Sequence, residues 1–265
     1  MEKTEIARRK KNHLFIILCG IFLTNALVAE LIGIKIFSLE KTFGFEPIGT
    51  GLFSFMDIQF NLTAGVVIWP VVFITTDIIN EYFGKKGVRK ITFITVGLII
   101  YAFLAIFIVT RLTPADFWLD VNNEDELGNN FNINYAFNKI YLQSIGVVIG
   151  SLTAFMIAQL LDVFIFQNLR AFTGKKLIWL RATGSTLISQ LIDSFVVLYI
   201  AFYVFGDWTV SLVNAVAINN YIYKFLIAIL VTPLIYLGHN LIDRYLGKEN
   251  AEKMAEEASQ DKTFF

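Results

Sequence analysis

Long apolar segments alternate with short charged ones along this chain, and they restrict what it can fold into. The clearest is 91–110, which holds twenty residues without a charged side chain. A helix needs about 20 apolar residues to cross a bilayer, and lipid offers no water to backbone N–H and C=O groups, so such a segment must be helical. Only 17% of the residues are charged, against about 25% in soluble domains. The sequence therefore predicts an all-α integral membrane protein.

Six transmembrane helices are predicted, over residues 14–39, 62–82, 91–110, 140–166, 182–205 and 217–237. The first is interpreted as a retained helix and not a signal peptide, because apolar residues continue past Glu30 and no small-x-small cleavage site follows. Pro70 lacks an N–H donor and is expected to kink or break the second helix.

The domain organisation follows from these segments. We expect a basic cytoplasmic tail over 1–13, one transmembrane domain over 14–237, and a charged cytoplasmic tail over 238–265 that extends the last helix. The chain leaves no room for a second soluble domain.

The orientation is predicted from the positions of Lys and Arg, which collect in cytoplasmic loops. Seventeen lie in the two tails, the second loop and the fourth loop, and three (Lys41, Arg111 and Lys139) lie in the other loops. The basic segments alternate with the others as six helices require, so both termini are predicted to be cytoplasmic.

Polar residues inside the predicted helices form stripes. They are Asn25, Glu30 and Lys35 in the first helix; Thr76, Asp77, Asn80 and Glu81 in the second; Gln159 and Asp162 in the fourth; Thr186, Ser189, Gln190 and Asp193 in the fifth; Asn220 and Lys224 in the sixth. An ionisable group at mid-membrane costs roughly 2.5–3.5 kcal/mol. Such stripes predict a bundle around a wet or ligand-filled interior.

Structural explanations for these polar residues stay open beside the functional one. Thr186 and Ser189 suit interhelical hydrogen bonds, Glu30 and Lys35 suit a local pair or interfacial positions, and Asp77 and Glu81 suit helix caps or ion pairs with basic loops. Asp193 is different, because it lies near mid-depth in an otherwise uncharged segment; Lys224 is its expected partner, unless Lys224 binds a ligand.

No catalytic motif is present in the sequence. There is no glycine-rich phosphate loop and no HExxH, and His13 and His239 lie at helix ends where interfacial positions are expected. Cys19 is the only cysteine in the sequence, so an internal disulfide or a cysteine metal site is excluded. Cys19 is expected to serve only in packing. We therefore predict no enzyme and no cofactor.

Four segments carry a family resemblance. They are WPVVFITTDIINEYFGKK (69–86), AQLLDVFIFQNLR (158–170), STLISQLIDS (185–194) and NYIYKF (220–225). Together they resemble the signature of the queuosine-precursor transporters, also called vitamin-uptake-type transporters, in family order over most of 65–235. The first helix matches more loosely, through Asn25 and Lys35, and the segments 41–61 and 112–139 are longer than the family pattern.

The resemblance implies a fold similar to the six-helix substrate-binding components of vitamin uptake systems, in the inner (cell) membrane. It implies uptake of a small 7-deazaguanine for tRNA modification: 7-cyano-7-deazaguanine, the 7-aminomethyl base or queuine. The partners would be this substrate and the lipid bilayer, with no direct contact to nucleic acid and the oligomeric state left open. Family members are expected to work alone; the alternative is a binding subunit of a multi-component uptake system.

The chemistry of such a substrate suggests its binding residues. A deazaguanine offers two neighbouring donors, N1–H and the exocyclic amine, and one carboxylate accepts both; Asp193 is the first candidate and Asp162 the second. Aromatic rings stack on a planar base. Donors for the carbonyl oxygen are Gln190, Gln159, Asn220 and Lys224; the stacking candidates are Trp69 and Phe73; the coupling or gating candidates are Asp77, Glu81 and Glu30.

Overall fold

The computed structural model describes residues 2–33, 35–44, 61–142, 145–173 and 177–260, most of them helical. The helices are α1 (Glu2–Ile32), α2 (Leu39–Phe43), a 3₁₀ helix (Ala64–Val67), α3 (Trp69–Val109), α4 (Asp116–Asp120), α5 (Ile133–Tyr141), α6 (Ile145–Thr173), α7 (Ile178–Leu198), a π-helix (Tyr199–Val204), α8 (Val210–Leu246) and α9 (Lys248–Gln260); the strands are β1 (Ile36–Ser38) and β2 (Asn61–Thr63). By length and composition, five helical segments within these ranges are able to cross a membrane. This is an all-α membrane protein.

Helix α3 is broken at Gly84. A straight helix of its 41 residues would be about 60 Å long at 1.5 Å per residue, about twice the 30 Å hydrocarbon core. Gly84 has φ 65° and ψ −167°, a conformation that only glycine adopts without strain. The break divides α3 into segments 69–83 and 85–109; the second alone exceeds the roughly 20 residues that a crossing needs, and the first is shorter than that. The count of six stays a prediction.

Both segments of α3 pack on the N-terminal half of α1. The rings of Phe83 and Phe15 lie 4.9 Å apart, and Val88 and Ile91 share a buried cluster with Leu14 of α1. The chain therefore returns along α1 after Gly84.

The two ends of the described chain meet at one end of the bundle. Lys10 Nζ donates a hydrogen bond to the carbonyl of Tyr245 at 2.8 Å, and Lys11 Nζ lies 3.7 Å from a carboxylate oxygen of Glu257. Gly84 and Arg170 also contact α9 there. We call this the basic end: the start of α1, the break at Gly84, the end of α6, and α9. Its composition agrees with the predicted alternation of loops; the side of the membrane that it faces stays a prediction.

The start predicted for the second helix is wrong. Residues 61–63 form β2, which pairs antiparallel with β1, Ile36 opposite Thr63, and a 3₁₀ helix follows before α3 begins at Trp69. Pro70 therefore lies in the first turn of α3, where a missing N–H breaks no helical hydrogen bond. The predicted kink at Pro70 is absent, and the break occurs at Gly84. For the same reason the first helix ends at Ile32 and not at residue 39.

Other boundaries differ where apolar residues give way to polar ones. At the basic end α1 begins at Glu2 and α8 continues to Leu246, because a helix does not stop where the lipid does. The polar segment 112–139 contains α4 and most of α5, and α6 begins at Ile145 and not at residue 140. Within 41–61, residues 45–60 lie outside the described residues. The division at 13 and 237 stays a prediction.

The surface of the second segment of α3 is apolar. Tyr101, Leu104, Phe107 and Ile108 are each at least half exposed. A soluble protein rarely exposes so continuous an apolar face, so this face is suited to lipid. The buried side is formed by α1, the first segment of α3, α6 and α7, where the polar stripes also lie.

Candidate substrate site and its relatives

A narrow pocket lies between α3, α6 and α7 in the interior. It is lined by Trp69, Phe73, Thr76, Phe155, Ala158, Gln159, Asp162, Thr186, Ser189, Gln190 and Asp193. Its free volume is about 20 Å³, which is room for a water molecule and not for a bicyclic base. Trp69 stacks on Phe73 with ring centroids 5.9 Å apart and lies 5.8 Å from the Phe155 ring. Aromatic rings therefore form one wall and polar side chains the other.

Two acceptor atoms of this pocket are buried without a hydrogen-bond partner in the described part of the chain: Oδ2 of Asp162 and Oε1 of Gln159. The other atoms of these groups are engaged. Asp162 Oδ1 accepts from the Ser189 hydroxyl at 3.2 Å, and Gln159 Nε2 donates to the Thr76 hydroxyl at 3.3 Å. A buried polar atom without a partner costs roughly 1–3 kcal/mol. A ligand with two donors would remove that cost.

A wider cavity of about 360 Å³ adjoins this pocket on the side away from the basic end. We call it the outer cavity; Trp69, Phe155 and Asp193 line both spaces. Its polar lining includes Glu30, Ser151, Asp193, Asn220 and Lys224. Two polar contacts therefore stand at the entrance to the narrow pocket.

The first contact is the predicted pair of Lys224 with Asp193: Lys224 Nζ donates a hydrogen bond to Asp193 Oδ2. Both side chains keep some exposure, 15% and 19%. The other is Glu30, which accepts from the Ser151 hydroxyl at 2.6 Å and lies close enough to Asp193 for the two charges to interact.

Glu81 lies at the basic end, in a buried cluster with two arginines. Its carboxylate is 2.8 Å from Arg181 and 3.3 Å from Arg170, and Arg170 also donates to the Glu81 carbonyl at 2.9 Å. Arg181 is 1% exposed. Glu81 therefore makes an ion pair, as the structural alternative expected. Its partners lie inside helices α6 and α7 and not in a basic loop.

Asp77 lies one helical turn before Glu81 on α3. It is 2% exposed, and its Oδ1 has no hydrogen-bond partner within the described ranges. Asp162 and Glu81 are both close enough for their charges to act on it. Asp77 therefore connects the narrow pocket with the Glu81 cluster, and it lines neither the pocket nor the outer cavity.

His239 lies inside α8 and not at a helix end as the sequence suggested; its interfacial position in the membrane stays a prediction. His239 is 6% exposed. Its Nδ1 lies 3.0 Å from the Tyr82 hydroxyl, and that hydroxyl donates a hydrogen bond to Asp243 at 2.8 Å. His13 is exposed at the same end, with Nδ1 3.0 Å from the Tyr245 hydroxyl. Among the described residues no three His, Cys, Asp or Glu side chains are grouped to hold a metal ion.

Residues 63–238, about two thirds of the chain, match the model of the vitamin uptake transporter family. The chain belongs to this family. The family resemblance expected from the four sequence segments is thereby confirmed, and the protein is a membrane transporter and not an enzyme. Every substrate-binding candidate from Trp69 to Lys224 lies inside the matched range.

Three relatives share this range in part. A Bacillus subtilis protein named probable queuosine precursor transporter is 29% identical over 186 residues, which cover 69% of this chain and 75% of the relative. The Escherichia coli protein named queuosine precursor transporter is 27% identical, with 65% and 70% covered. A Haemophilus influenzae protein named like the first is 27% identical, with 60% and 59% covered. No solved structure matches the chain.

The structure thus brings the sequence candidates into three levels. Asp193, Gln190, Gln159, Asp162, Trp69 and Phe73 line the narrow pocket; Asn220, Lys224 and Glu30 line the outer cavity; Asp77 and Glu81 lie toward the basic end. Sequence reasoning missed Arg170 and Arg181, which it counted as loop charges. It also missed Gln167, whose Nε2 donates to Asn80 Oδ1 at 2.6 Å. Extending the Gln159–Asp162 stripe along the helix would have reached Gln167 and Arg170.

Proposed function

We propose that this transporter imports queuosine precursors of the 7-deazaguanine class into the cytoplasm. Relatives in B. subtilis and E. coli carry names that specify queuosine precursors. The observation that carries the proposal is the pair of unpartnered buried oxygens of Asp162 and Gln159 opposite the Trp69–Phe73 stack. A planar base with adjacent N–H donors complements both walls of this pocket.

Asp162 is the carboxylate that we assign to the guanine-like edge. Asp193 was the first candidate from sequence, but its carboxylate is engaged by Lys224, whereas Asp162 Oδ2 has no hydrogen-bond partner among the described residues. In this proposal Asp162 accepts from N1–H and the exocyclic amine, Gln159 Oε1 accepts from the second N–H of that amine, Gln190 donates to the carbonyl oxygen, and Trp69 or Phe73 stacks on the ring. Asp193, Lys224 and Asn220 form the entrance.

The route follows the three levels. The base enters the outer cavity, whose volume of about 360 Å³ is within the usual range for small-molecule sites. It reaches Asp162 when the aromatic wall moves, because the narrow pocket is too small for it as it stands. Glu30 at the outer cavity, Asp77 and Glu81 are the groups proposed to couple or gate the passage to the basic end, which we propose faces the cytoplasm.

The test is uptake of labelled 7-deazaguanines by cells that cannot make them, followed by the purified chain alone in liposomes. We expect uptake in both systems. Binding without uptake in liposomes would support the alternative, a binding subunit that needs an energising complex. No binding and no uptake of any of the three candidate bases would contradict the proposal.

A double comparison tests the assigned carboxylate. Asp162→Asn should weaken binding of the deazaguanine by the cost of one lost charged hydrogen bond, about 1.5–3 kcal/mol, or about ten- to a hundredfold. A 7-deazahypoxanthine, which lacks the exocyclic amine, should be discriminated by the parent protein and much less by the variant. Asp193→Asn is the matched control; if this variant alone loses the discrimination, Asp193 leaves Lys224 to read the base.

A further inference from the structure

Helix α9 lies beyond the range that matches the family model, which ends at residue 238. Gly247 alone separates it from α8. This residue has φ 84° and ψ 134°, in the region that favours glycine. One face of α9 is buried through Ala251, Met254 and Ala258. A glycine joint therefore connects α8 to a helix that docks on the bundle by one face.

Besides its buried face and the Lys11–Glu257 pair, a hydrogen bond and a close backbone approach connect α9 to the transporter domain. The Arg170 guanidinium donates to the carbonyl of Ala255 while it also contacts Glu81. At Gly84 the approach is so close that a Cβ atom there would lie 2.9 Å from the Ala258 carbonyl oxygen. The absence of a side chain at Gly84 therefore permits the docking of α9, and Arg170 links α9 to the buried Glu81 cluster.

A cavity of about 470 Å³ lies between α9 and the bundle at the basic end. Glu81, Tyr82, Arg170 and His239 line its inner side, and α9 supplies Ala251, Glu252, Ala255, Glu256 and Ser259. Asp77 and the Glu81 cluster lie between the narrow pocket and this cavity. A solute that entered this cavity from the bundle side would meet α9, which forms its other wall.

We propose that α9 is the cytoplasmic gate of this transporter, with Arg170 as its latch. The inference rests on the proposed direction of transport. In the structure the outer cavity adjoins the substrate pocket, while the Glu81–Arg170 contact and α9 lie at the opposite end. When substrate passage separates Arg170 from Glu81, Arg170 also releases Ala255, and α9 turns about Gly247 to open the exit. Such alternation of two closures is how a transporter avoids an open pore.

The test ties α9 to α1. Lys11 and Glu257 face each other at 3.7 Å and are 40% and 56% exposed, so cysteines there should leave the fold intact. The variant carries Cys19→Ser, Lys11→Cys and Glu257→Cys. A membrane-permeable bis-thiosulfonate cross-links the two new cysteines through disulfides, and a reductant later cleaves the cross-link. Uptake of the labelled deazaguanine should stop on cross-linking and return on reduction. The control joins Glu5→Cys with Arg9→Cys, an exposed pair within α1, and uptake should continue.

The outcomes separate the gate from the proposed function. Uptake by the untreated double variant establishes that transport occurs; if neither it nor the parent takes up any deazaguanine, the proposed function fails. If the untreated variant transports and the fully tethered protein transports equally well, α9 is a fixed scaffold and the gate is overturned. Arrest in the tethered 11–257 pair and continued uptake in the tethered 5–9 pair support the gate.

Discussion

Two ion pairs stand at opposite ends of the proposed route, and they differ in chemistry. At the outer cavity one lysine, Lys224, meets one carboxylate, Asp193, and both keep 15–19% exposure. At the basic end Glu81 is held by two arginines, Arg170 and Arg181, and each of these side chains is at most 8% exposed. Lysine is a mobile point charge, whereas the arginine fork makes several directed hydrogen bonds at once.

The difference indicates what each end is built to do. A partly hydrated pair separates at modest cost, because water replaces the lost contact. A buried cluster opens only if its charges find new partners, because an unpaired buried charge costs several kcal/mol. The outer pair is therefore suited to exchanging partners with an entering base, and the inner cluster to keeping the exit closed until the helices move.

The comparison of the outer pair with the inner cluster depends first on which side of the membrane each end of the bundle faces. In a Cys19→Ser background, we expect an impermeant thiol reagent added outside to label Leu127→Cys and not Phe172→Cys. Both side chains are at least 86% exposed, so the contrast reports the side of the membrane and not burial. Phe172→Cys should react after permeabilisation. The reverse pattern would invert the route.

The largest functional effect is expected at the outer pair. Lys224→Met should abolish uptake, since Asp193 is left beside the pocket with an uncompensated charge, while the protein still inserts and purifies as a folded monodisperse species. Lys41→Met, an exposed lysine at the same end, is the control and should transport normally. Normal transport by Lys224→Met would place the pair outside the mechanism.

The largest effect on stability is expected at the inner cluster. Removing one partner of a buried ion pair costs about 3–5 kcal/mol, so Arg181→Met should lower the free energy of unfolding in detergent. The double variant Glu81→Gln with Arg181→Met should recover part of the loss, because in the single variant the buried Glu81 charge keeps only its longer contact with Arg170, and the double variant removes that charge. Thermal unfolding followed by tryptophan fluorescence measures both.

The control for this prediction is Arg9→Met. Arg9 pairs with Glu5 at the surface, with 78% and 55% of the side chains exposed, and such pairs are worth about 1 kcal/mol or less. Equal unfolding temperatures for the two single variants would remove the distinction between the ends.

A smaller effect on stability is expected at Gly84. Gly84→Ala forces a side chain into a conformation reserved for glycine, at a cost of about 1–3 kcal/mol, and brings Cβ against Ala258 of α9. Gly20→Ala, with no atom within 4 Å of the added Cβ, is the matched control and should be neutral. The unfolding temperature and the protease sensitivity of α9 report the two changes; unchanged α9 protection in Gly84→Ala would weaken the link between the break and the docking.

The sequence by itself determined the membrane class, the approximate apolar segments and the grouping of the basic segments at one end. It also predicted the Asp193–Lys224 pair, with direct binding of a ligand by Lys224 as the alternative, since an isolated carboxylate and an isolated lysine in membrane-spanning helices have few other partners. These properties depend on the free energy of transferring each segment from water to lipid. That quantity is local, so it can be read residue by residue along the chain.

The tertiary structure alone decided where the helices break and which charges turn inward. Pro70 lies in the first turn of a helix that follows the β1–β2 pair, and Gly84 breaks the same helix where α9 packs against it. Arg170 and Arg181 look like loop charges in the sequence, but the rotation of α6 and α7 directs them to Glu81. The same rotation leaves Asp162 Oδ2 without a hydrogen-bond partner among the described residues, while Asp193 is paired with Lys224. Rotation and docking follow from many weak contacts between distant segments, and no local pattern in the sequence records them.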